Sequence, residues 1–224
     1  MHPDPEENLW QDYIAQSYFS SNYGRGLAGW LMRKGHVELE RDFHPGARFE
    51  KVLEVGAGEG VHLPFVRHSF SEYLLTDKNI SALERVRFSL PPGVTMQVED
   101  SLNLSFPDHV FDRVIAAHLL EHLPHPHLAL REWYRVLKPG GVLSLILPCD
   151  PGVAWRLARC FGPRARARST GINYDYWMAR EHLNSIYNLL SYIRFYFDFR
   201  REIFLPLRLP LPDMNLLYVC TITV

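Results

Sequence analysis

The feature that most constrains the fold is a short apolar segment that leads directly into a glycine-rich turn. Residues 52–60 read Val-Leu-Glu-Val-Gly-Ala-Gly-Glu-Gly. Glycine adopts backbone conformations that are closed to other residues, so the main chain can pass close beneath a ligand at such a turn. A helix that begins after the turn would present unpaired amides to an anionic group. The segment therefore predicts the first strand, turn and helix of a ligand-binding α/β domain; a tight turn without a ligand is the alternative.

Short apolar segments alternate with helical segments over the whole of residues 50–148. Strands are predicted at residues 51–55, 72–76, 94–98, 111–117 and 142–148, and helices at residues 62–68, 80–88 and 126–137. Strands that are apolar along their length and separated by helices form a parallel sheet covered on both faces. This part of the chain therefore predicts five parallel strands.

The pattern changes after residue 148. A helix is predicted at residues 153–160, a mobile basic loop at residues 162–171, a long helix at residues 179–195, and strands at residues 197–204 and 216–224. The two last strands are joined by a short proline-rich segment, and a short connection allows antiparallel pairing without a crossover. The chain is therefore expected to end in an antiparallel hairpin.

Taken together, these segments predict an α/β fold with a doubly wound, mostly parallel seven-stranded sheet and helices on both faces. The length of 224 residues corresponds to one domain. Within it, residues 1–46 contain two helical segments and predict a helical cover. Residues 50–148 form the ligand-binding core, residues 150–196 an insertion after the fifth strand, and residues 197–224 the hairpin.

Charge and cysteine content exclude several classes of function. The chain carries 24 Lys and Arg against 25 Asp and Glu, so no overall field draws it to nucleic acid. Cys149, Cys160 and Cys220 are isolated, which argues against a disulfide framework and a thiolate metal site. The chain shows no secretory signal pattern and no apolar run near the ~20 residues of a membrane span. We expect a cytoplasmic monomer or homodimer that binds neither nucleic acid nor a metal.

Four further motifs follow the glycine turn in a fixed order. They are Thr76-Asp77, Glu99-Asp100-Ser101, residues 111–115 with the Leu-Glu-His-Leu segment 120–123, and the Arg-Val-Leu-Lys-Pro-Gly-Gly segment 135–141. The third glycine of the turn comes one position too early for the dinucleotide fingerprint Gly-x-Gly-x-x-Gly. In this series the chain closely resembles class I S-adenosylmethionine-dependent methyltransferases, in particular the small-molecule group that carries the L-x-E-H and L-K-P-G-G motifs.

The resemblance implies S-adenosylmethionine as cofactor, with Asp77 on the ribose hydroxyls and Asp100 on the adenine amino group. Glu54 is expected to face the methionyl ammonium while also holding amides of the turn. The predicted cofactor-binding residues are Glu54, Gly56, Ala57, Gly58, Gly60, Asp77, Lys78, Asp100, Ser101, Ala117 and His118. The alternatives are a helix cap for Asp77 and a solvated loop acid for Asp100.

Methyl transfer is an in-line displacement, so aligning the acceptor, methyl group and sulfur supplies most of the rate. An oxygen acceptor with a high pKa also needs a positioned base. His118, at the end of the fourth strand, is the first candidate, and His182 and Asp150 are further ones. His122 lies inside the L-x-E-H motif and is interpreted as an architectural residue.

The insertion is expected to form the acceptor side. Arginine side chains bind phosphate oxygens, and aromatic rings pack against sugar faces or hydrocarbon chains. The insertion offers both kinds of side chain, in Arg164, Arg166, Arg168, Tyr174, Tyr176 and Trp177. With its Glu181-His182-Leu183-Asn184 stretch, the insertion also resembles methyltransferases found with surface-polysaccharide synthesis. We therefore expect a phosphorylated, nucleotide-linked or lipid-linked sugar, methylated on oxygen, with nitrogen and carbon as the alternative methylation sites. A solvated arginine run and a helix packed on the sheet are the structural alternatives.

Two alternative functions and one hypothesis about the N-terminal residues complete the predictions. A nicotinamide-dependent oxidoreductase is disfavoured by the early third glycine, and a non-catalytic cofactor-binding protein is opposed by the intact turn and ligand acids. The N-terminal cover is expected to close over the methionine end of the cofactor, with Tyr18, Tyr23 and Arg25 as the residues concerned.

Overall fold

A computed structural model describes residues 23–24, 26–86, 90–161, 163–169 and 171–224. The strands are β1 (Arg48–Val55), β2 (Ser69–Asp77), β3 (Val94–Val98), β4 (Phe111–Ala117), β5 (Leu137–Pro148), β6 (Arg200–Leu205) and β7 (Leu217–Thr223). The helices are α1 (Leu27–Leu39), α2 (Ile80–Val86), α3 (Pro126–Val136), α4 (Val153–Phe161), α5 (Pro163–Ser169), α6 (Tyr174–Glu181) and α7 (Ile186–Tyr196). The first of the two predicted N-terminal helical segments lies outside the described residues.

The seven strands form one sheet in the order β3-β2-β1-β4-β5-β7-β6. Strands β1 to β5 run parallel, and β7 pairs antiparallel with both β5 and β6. The predicted fold class is thereby confirmed. Strand order reverses between β1 and β4, and open α/β sheets bind their ligands at such a switch point, beyond the carboxyl ends of the strands.

Alternate residues of the central strands enter two different cores. Leu53 of β1 packs in the core that α3 and α7 cover, with Trp133 as its largest buried side chain. Val52 of the same strand packs in the opposite core, together with Leu31 of α1 and Leu83 of α2. Side chains of a strand alternate between its faces, so an apolar strand of this kind must be covered on both sides. Among the described helices, none is both long and apolar enough to cross a bilayer.

The helix predicted at residues 62–68 is wrong. The chain forms a single 3₁₀ turn, Leu63–Phe65, and then becomes extended at Val66. The reason lies in the tertiary structure, because the carboxylate of Glu40 accepts hydrogen bonds from the His62 ring (3.0 Å) and from the Arg67 amide (3.1 Å). Both bonds hold the segment against the end of α1 and prevent further helical turns.

The long helix predicted at residues 179–195 is also wrong, since the chain forms α6 and α7 with a break between them. At the break, the Asn184 side-chain amide donates to the Leu123 carbonyl at 2.7 Å, and the Asn184 main-chain amide donates to the Glu121 carbonyl at 3.1 Å. The Ser185 hydroxyl then accepts from the Asn188 amide and caps α7. Asn and Ser compete with helical backbone bonds in this way and favour helix ends.

The basic segment 162–171 is a helix over most of its length rather than the predicted mobile loop. Helix α5 begins at Pro163, a favourable residue in a first turn, and continues with Arg and Ala, which have high helix propensity. Ala167 is completely buried. The side chains of Arg166 and Arg168 lie outside the described part of the structure.

Candidate functional site

The glycine turn follows β1 at the switch point of the sheet. Gly56 has a left-handed backbone (φ 62°), and a Cβ atom placed there would lie 2.7 Å from the Leu119 side chain. The Ala57 amide donates to the Thr76 carbonyl of β2 at 2.8 Å, which ties the turn to the neighbouring strand. Only glycine at position 56 therefore permits this close approach of the turn to the segment after β4.

Two cavities lie on either side of Gly56. The acidic cavity, of about 270 Å³, is lined by Gly56, Thr76, Asp77, Lys78, Glu99, Asp100, Ser101, Leu102, Leu119, Leu123 and Pro124. The histidine cavity, of about 240 Å³, is lined by Tyr23, His36, Glu54, Gly56, Ala57, Gly58, Glu59, Val61, His62, Ala82, Arg85, Ala117 and His118. Apart from Gly60, every predicted cofactor-binding residue lines one of them.

Asp77 closes the glycine turn from the end of β2. Its Oδ2 accepts from the Gly58 amide at 2.9 Å and its Oδ1 accepts from the Asn79 amide at 2.8 Å. The cap of α2 is Asn79, whose side chain accepts from the Ser81 amide at 3.0 Å. The alternative that Asp77 is the helix cap is therefore wrong, and its carboxylate keeps lone pairs for a ligand in the acidic cavity.

Asp100 follows β3 and faces the same cavity. Its Oδ1 accepts from the Leu102 amide at 3.0 Å, and Lys78 Nζ lies 3.4 Å from its Oδ2. The bond from the Leu102 amide is the main cause that lowers the pKa of Asp100; burial opposes it, and Lys78 lowers the pKa further. The neighbouring Glu99 is occupied by its own loop, because it accepts from the Gln97 side chain and the Ser105 amide. Among the described residues, Asp100 therefore makes fewer hydrogen bonds than Glu99 does.

Glu54 is buried and lines the histidine cavity. Its carboxylate accepts a 2.5 Å hydrogen bond from the Tyr73 hydroxyl. The expectation that Glu54 holds amides of the turn is wrong, since among the described residues its side chain bonds to Tyr73 instead. Burial raises the pKa of Glu54, more than the neighbouring His62 and the bond from Tyr73 lower it. A cationic ligand group in the cavity would restore the charged form.

His118 directly follows β4 and has a left-handed backbone, with φ at 57°. This conformation is uncommon for residues other than glycine and is found often at functional sites. Its Nδ1 lies 3.7 Å from the buried Glu121 carboxylate. Its Nε2 is buried and has no hydrogen-bond partner among the described residues. His118 therefore offers one unsatisfied ring nitrogen at the wall of the histidine cavity.

Asp150 and His182, two predicted catalytic residues, form a pair. His182 Nδ1 lies 2.7 Å from Asp150 Oδ2, and Arg159 Nη1 lies 3.2 Å from the same oxygen. Burial alone would raise the pKa of Asp150, but the bond from His182 and the charge of Arg159 lower it. The ring of His182 packs edge-on against His122, with ring centroids 5.0 Å apart. His122 Nδ1 lies 2.8 Å from the Glu181 carbonyl, in keeping with its architectural interpretation.

Two of the residues predicted to bind the acceptor, Arg164 and Trp177, make contacts within the protein. Arg164 is engaged by Asp175, with Nε 3.0 Å from Oδ1. Trp177 is buried, and the Arg180 guanidinium lies 4.7 Å from its ring centroid. The aromatic face of Trp177 thus serves internal packing. Of the predicted cover residues, Tyr23 lines the histidine cavity, whereas Tyr18 and Arg25 lie outside the described residues.

Two residues of the histidine cavity, His36 and His62, were not predicted. His62 comes two positions after the last glycine of the turn, so its position beside a ligand-binding motif was a usable signal. His36 lies in the last turn of α1, and no local pattern distinguishes it.

Comparison with known proteins indicates the family. Residues 53–145 match the family model described as a methyltransferase domain. This match and the similar solved structures support a class I S-adenosylmethionine-dependent methyltransferase. It is 37% identical over 123 residues to a 2-methyl-6-phytyl-1,4-hydroquinone methyltransferase of Oryza sativa, and 34% identical over 111 residues to a phosphatidylethanolamine N-methyltransferase of Cereibacter sphaeroides. These matches cover 54% and 46% of this chain and only 36% and 53% of the two relatives.

The fold of this methyltransferase also matches solved structures. An S-adenosylmethionine-dependent methyltransferase of Thermotoga maritima superposes with a TM-score of 0.63 at 16% identity, covering 96% of this chain and 98% of that one. The cofactor of the family is S-adenosylmethionine. The residues present fit it, because the acidic cavity supplies carboxylate acceptors for a diol and an amine, and Gly56 lines both this cavity and the one that contains Glu54.

Proposed function

We propose that this methyltransferase domain transfers the methyl group of S-adenosylmethionine to a hydroxyl of a small-molecule acceptor that enters beside Asp150 and His182. The proposal is carried by two observations. Gly56 lines both cavities, and Asp150, which comes directly after β5, binds His182. This arrangement supports a donor site and an acceptor site that share the carboxyl edge of one sheet.

The roles of the chain's own residues follow from their chemistry. Asp77 and Asp100 accept hydrogen bonds from the ribose hydroxyls and the adenine amine, and Glu54 faces the ammonium of the methionine end. The cofactor, when bound, supplies a methyl group on an activated sulfonium centre. The protein then needs mainly to align the acceptor with that group, and His118, at the wall of the histidine cavity, is the residue proposed to do so.

His182 is the proposed general base. A carboxylate only accepts hydrogen bonds, so the bond to Asp150 places the ring proton of neutral His182 on Nδ1 and leaves Nε2 as an acceptor. Arg159 keeps Asp150 ionised beside the ring. An imidazole oriented in this way can take the proton of an attacking hydroxyl, as in catalytic triads.

The rim of the acceptor side supports an anionic, lipid-linked acceptor, such as a lipid-linked sugar phosphate. Residues 151–172 contain five arginines and no Asp or Glu. Apolar side chains stand exposed on the same region, and they are Val153, Leu157, Leu183 and Tyr187. Arginine suits phosphate oxygens, and exposed apolar surface near a site suits a lipid chain.

A prenylated hydroquinone is the second candidate acceptor. It is favoured by the relative from Oryza sativa, whose name specifies a phytyl hydroquinone substrate. Its long hydrocarbon chain would pack against the same exposed apolar side chains, whereas the arginines would have no phosphate to bind. The two candidates therefore differ in their dependence on basic residues.

The test is transfer of a labelled methyl group to sugar phosphates, lipid-linked sugar phosphates and prenylated hydroquinones. Asp77→Ala should weaken binding of S-adenosylhomocysteine by about 1.5–3 kcal/mol, the scale of hydrogen bonds to a charged group. His182→Gln should lower kcat about 100-fold or more without altering that binding. His44→Gln is the matched control, because His44 is exposed before β1 at the opposite edge of the sheet. A folded protein that binds no S-adenosylhomocysteine would refute the proposal.

A further inference from the structure

Helix α4 turns apolar side chains toward solvent. Val153, Arg156, Leu157 and Cys160 follow the spacing i, i+3, i+4 and i+7, so they share one face of the helix, and all four are exposed. Val153 and Leu157 are 57% and 56% exposed. No residue from Val153 to Cys160 is buried. Surface helices ordinarily direct their apolar residues into the core, so the exposed face of α4 lacks the cover that its sequence favours.

The segment between β6 and β7 supplies a second group of exposed apolar side chains. Leu207, Leu209, Leu211 and Met214 are each between 45% and 50% exposed. The completely buried Asn215 holds this segment in shape, because its side-chain amide donates to the Leu209 and Leu211 carbonyls at 2.9 Å and its side-chain oxygen accepts from the Leu207 amide at 2.9 Å. We call residues 206–214 the leucine loop.

The exposed face of α4 and the leucine loop adjoin at one edge of the sheet. Strands β5 and β6 both pair antiparallel with β7, so they run in the same direction and end at the carboxyl edge. Helix α4 follows β5 and the leucine loop follows β6, and the Val153 amide donates to Asp213 Oδ1 of the loop at 3.2 Å. We call the two together the docking surface. Adjoining apolar groups of this kind mark an interaction site, unlike single exposed side chains.

The charge around the docking surface is positive. Helices α4 and α5 together contain five arginines and no Asp or Glu. The acids beside them are already paired, since Asp150 Oδ2 lies 3.2 Å from Arg159 Nη1 and Asp175 Oδ1 lies 3.0 Å from Arg164 Nε. Arg156, on the exposed face of α4, has no acidic partner among the described residues. Its charge is therefore left for an anionic partner outside the chain.

We propose that the docking surface binds the surface of an anionic lipid bilayer. The aliphatic side chains enter the headgroup region and Arg156 meets lipid phosphates, as in amphipathic helices that lie in a membrane interface. A second copy of this chain fits the surface less well, because a two-fold contact would set the same arginines against each other. Bilayer binding needs no cofactor; only its use in catalysis rests on the proposed function, since docking brings the Asp150–His182 pair to the membrane that holds a lipid-linked acceptor.

The test is sedimentation of the full chain with unilamellar vesicles in the absence of S-adenosylmethionine. Vesicles of equal parts phosphatidylcholine and phosphatidylglycerol should bind the protein at least about tenfold more tightly than vesicles of phosphatidylcholine alone. Added salt should weaken this binding, because it screens the arginines from the lipid phosphates. Absence of binding to the anionic vesicles would overturn the docking proposal and leave the proposed function unaffected. Failure to bind S-adenosylhomocysteine would have the opposite meaning.

Exposed variants separate the docking surface from the rest of the molecule. Leu157→Ser should weaken binding to anionic vesicles about tenfold and Arg156→Gln about fivefold, because one removes apolar contact and the other a charge. Phe199→Ser and Arg67→Gln are the matched controls. Both residues are exposed and directly precede β6 and β2, at the opposite edge of the sheet, so both variants should bind like wild type. Equal losses in the controls, or unchanged binding in Leu157→Ser, would contradict the proposal.

Cys160 provides a direct readout of how the protein lies on the vesicle. It is exposed on the same face of α4 as Leu157, whereas Cys149 and Cys220 are buried. An environment-sensitive fluorophore on Cys160 should shift its emission to the blue on anionic vesicles and be quenched by spin-labelled lipids. A fluorophore that stays in water while the protein sediments would assign binding to another surface and overturn the proposal. So would a lipid-free dimer, seen by sedimentation velocity, that Leu157→Ser dissociates, because the surface would then bind a second copy.

Discussion

At the scale of single residues, Gly58 offers the most direct test of where the ligand lies. Its backbone is left-handed (φ 53°), and a Cβ atom placed there would meet no atom within 4 Å. Gly58→Ala should therefore cost about 1 kcal/mol of stability through backbone strain. The added methyl group would occupy ligand space, so we also expect about tenfold weaker binding of S-adenosylhomocysteine, measured by calorimetry.

The control for Gly58→Ala is Gly140→Ala. Gly140 is also left-handed (φ 80°) and also has open space at the Cβ position, but it lies in the Lys-Pro-Gly-Gly segment at the start of β5, away from both cavities. The two variants should lose similar stability in urea, and only Gly58→Ala should lose affinity. Equal affinities would place the ligand elsewhere than over the glycine turn.

At the scale of elements, the break between α6 and α7 positions His182 beside Asp150. Asn184 anchors the break through its bond to the Leu123 carbonyl. Asn184→Ala should lower the free energy of unfolding in urea by about 1–3 kcal/mol, because it leaves partly buried carbonyls without a donor. It should also reduce kcat, since His182 is held two residues away. Asn188→Ala, an exposed position on α7, is the control and should change neither quantity.

At the scale of the whole molecule, stability should fall in mild acid because neutral histidines are buried. His68 lies edge-on against Phe49, with ring centroids 4.7 Å apart, and burial followed by the charge of Arg113 lowers its pKa to about 4. The unfolded chain binds the proton already near pH 6.5, so this contribution is lost as the pH falls from about 6.5 to 4. His68→Phe should therefore reduce the loss of unfolding free energy between pH 7 and pH 5 by about 2 kcal/mol.

The pH prediction is checked by urea unfolding at both pH values. His44→Gln, at an exposed histidine, should leave the difference between the two pH values unchanged. An identical acid loss in wild type and His68→Phe would mean that His68 is protonated in the folded protein.

The sequence alone was sufficient for the sheet, for the glycine turn and for the placement of Asp77 and Asp100 together at the ends of neighbouring strands, because strand periodicity, glycine content and motif order are local signals that survive without tertiary contacts. Only the tertiary structure decided the rest. The Asp150–His182 pair joins residues 32 positions apart, and the contact between the rings of His36 and His62 joins α1 to the segment after the glycine turn. The same long-range contacts overrode local propensity: Glu40 ended the predicted helix at residues 62–68, and Asn184 divided the predicted long helix. Local spacing encodes which element forms, whereas packing between distant elements determines which side chains meet and thus how the site works.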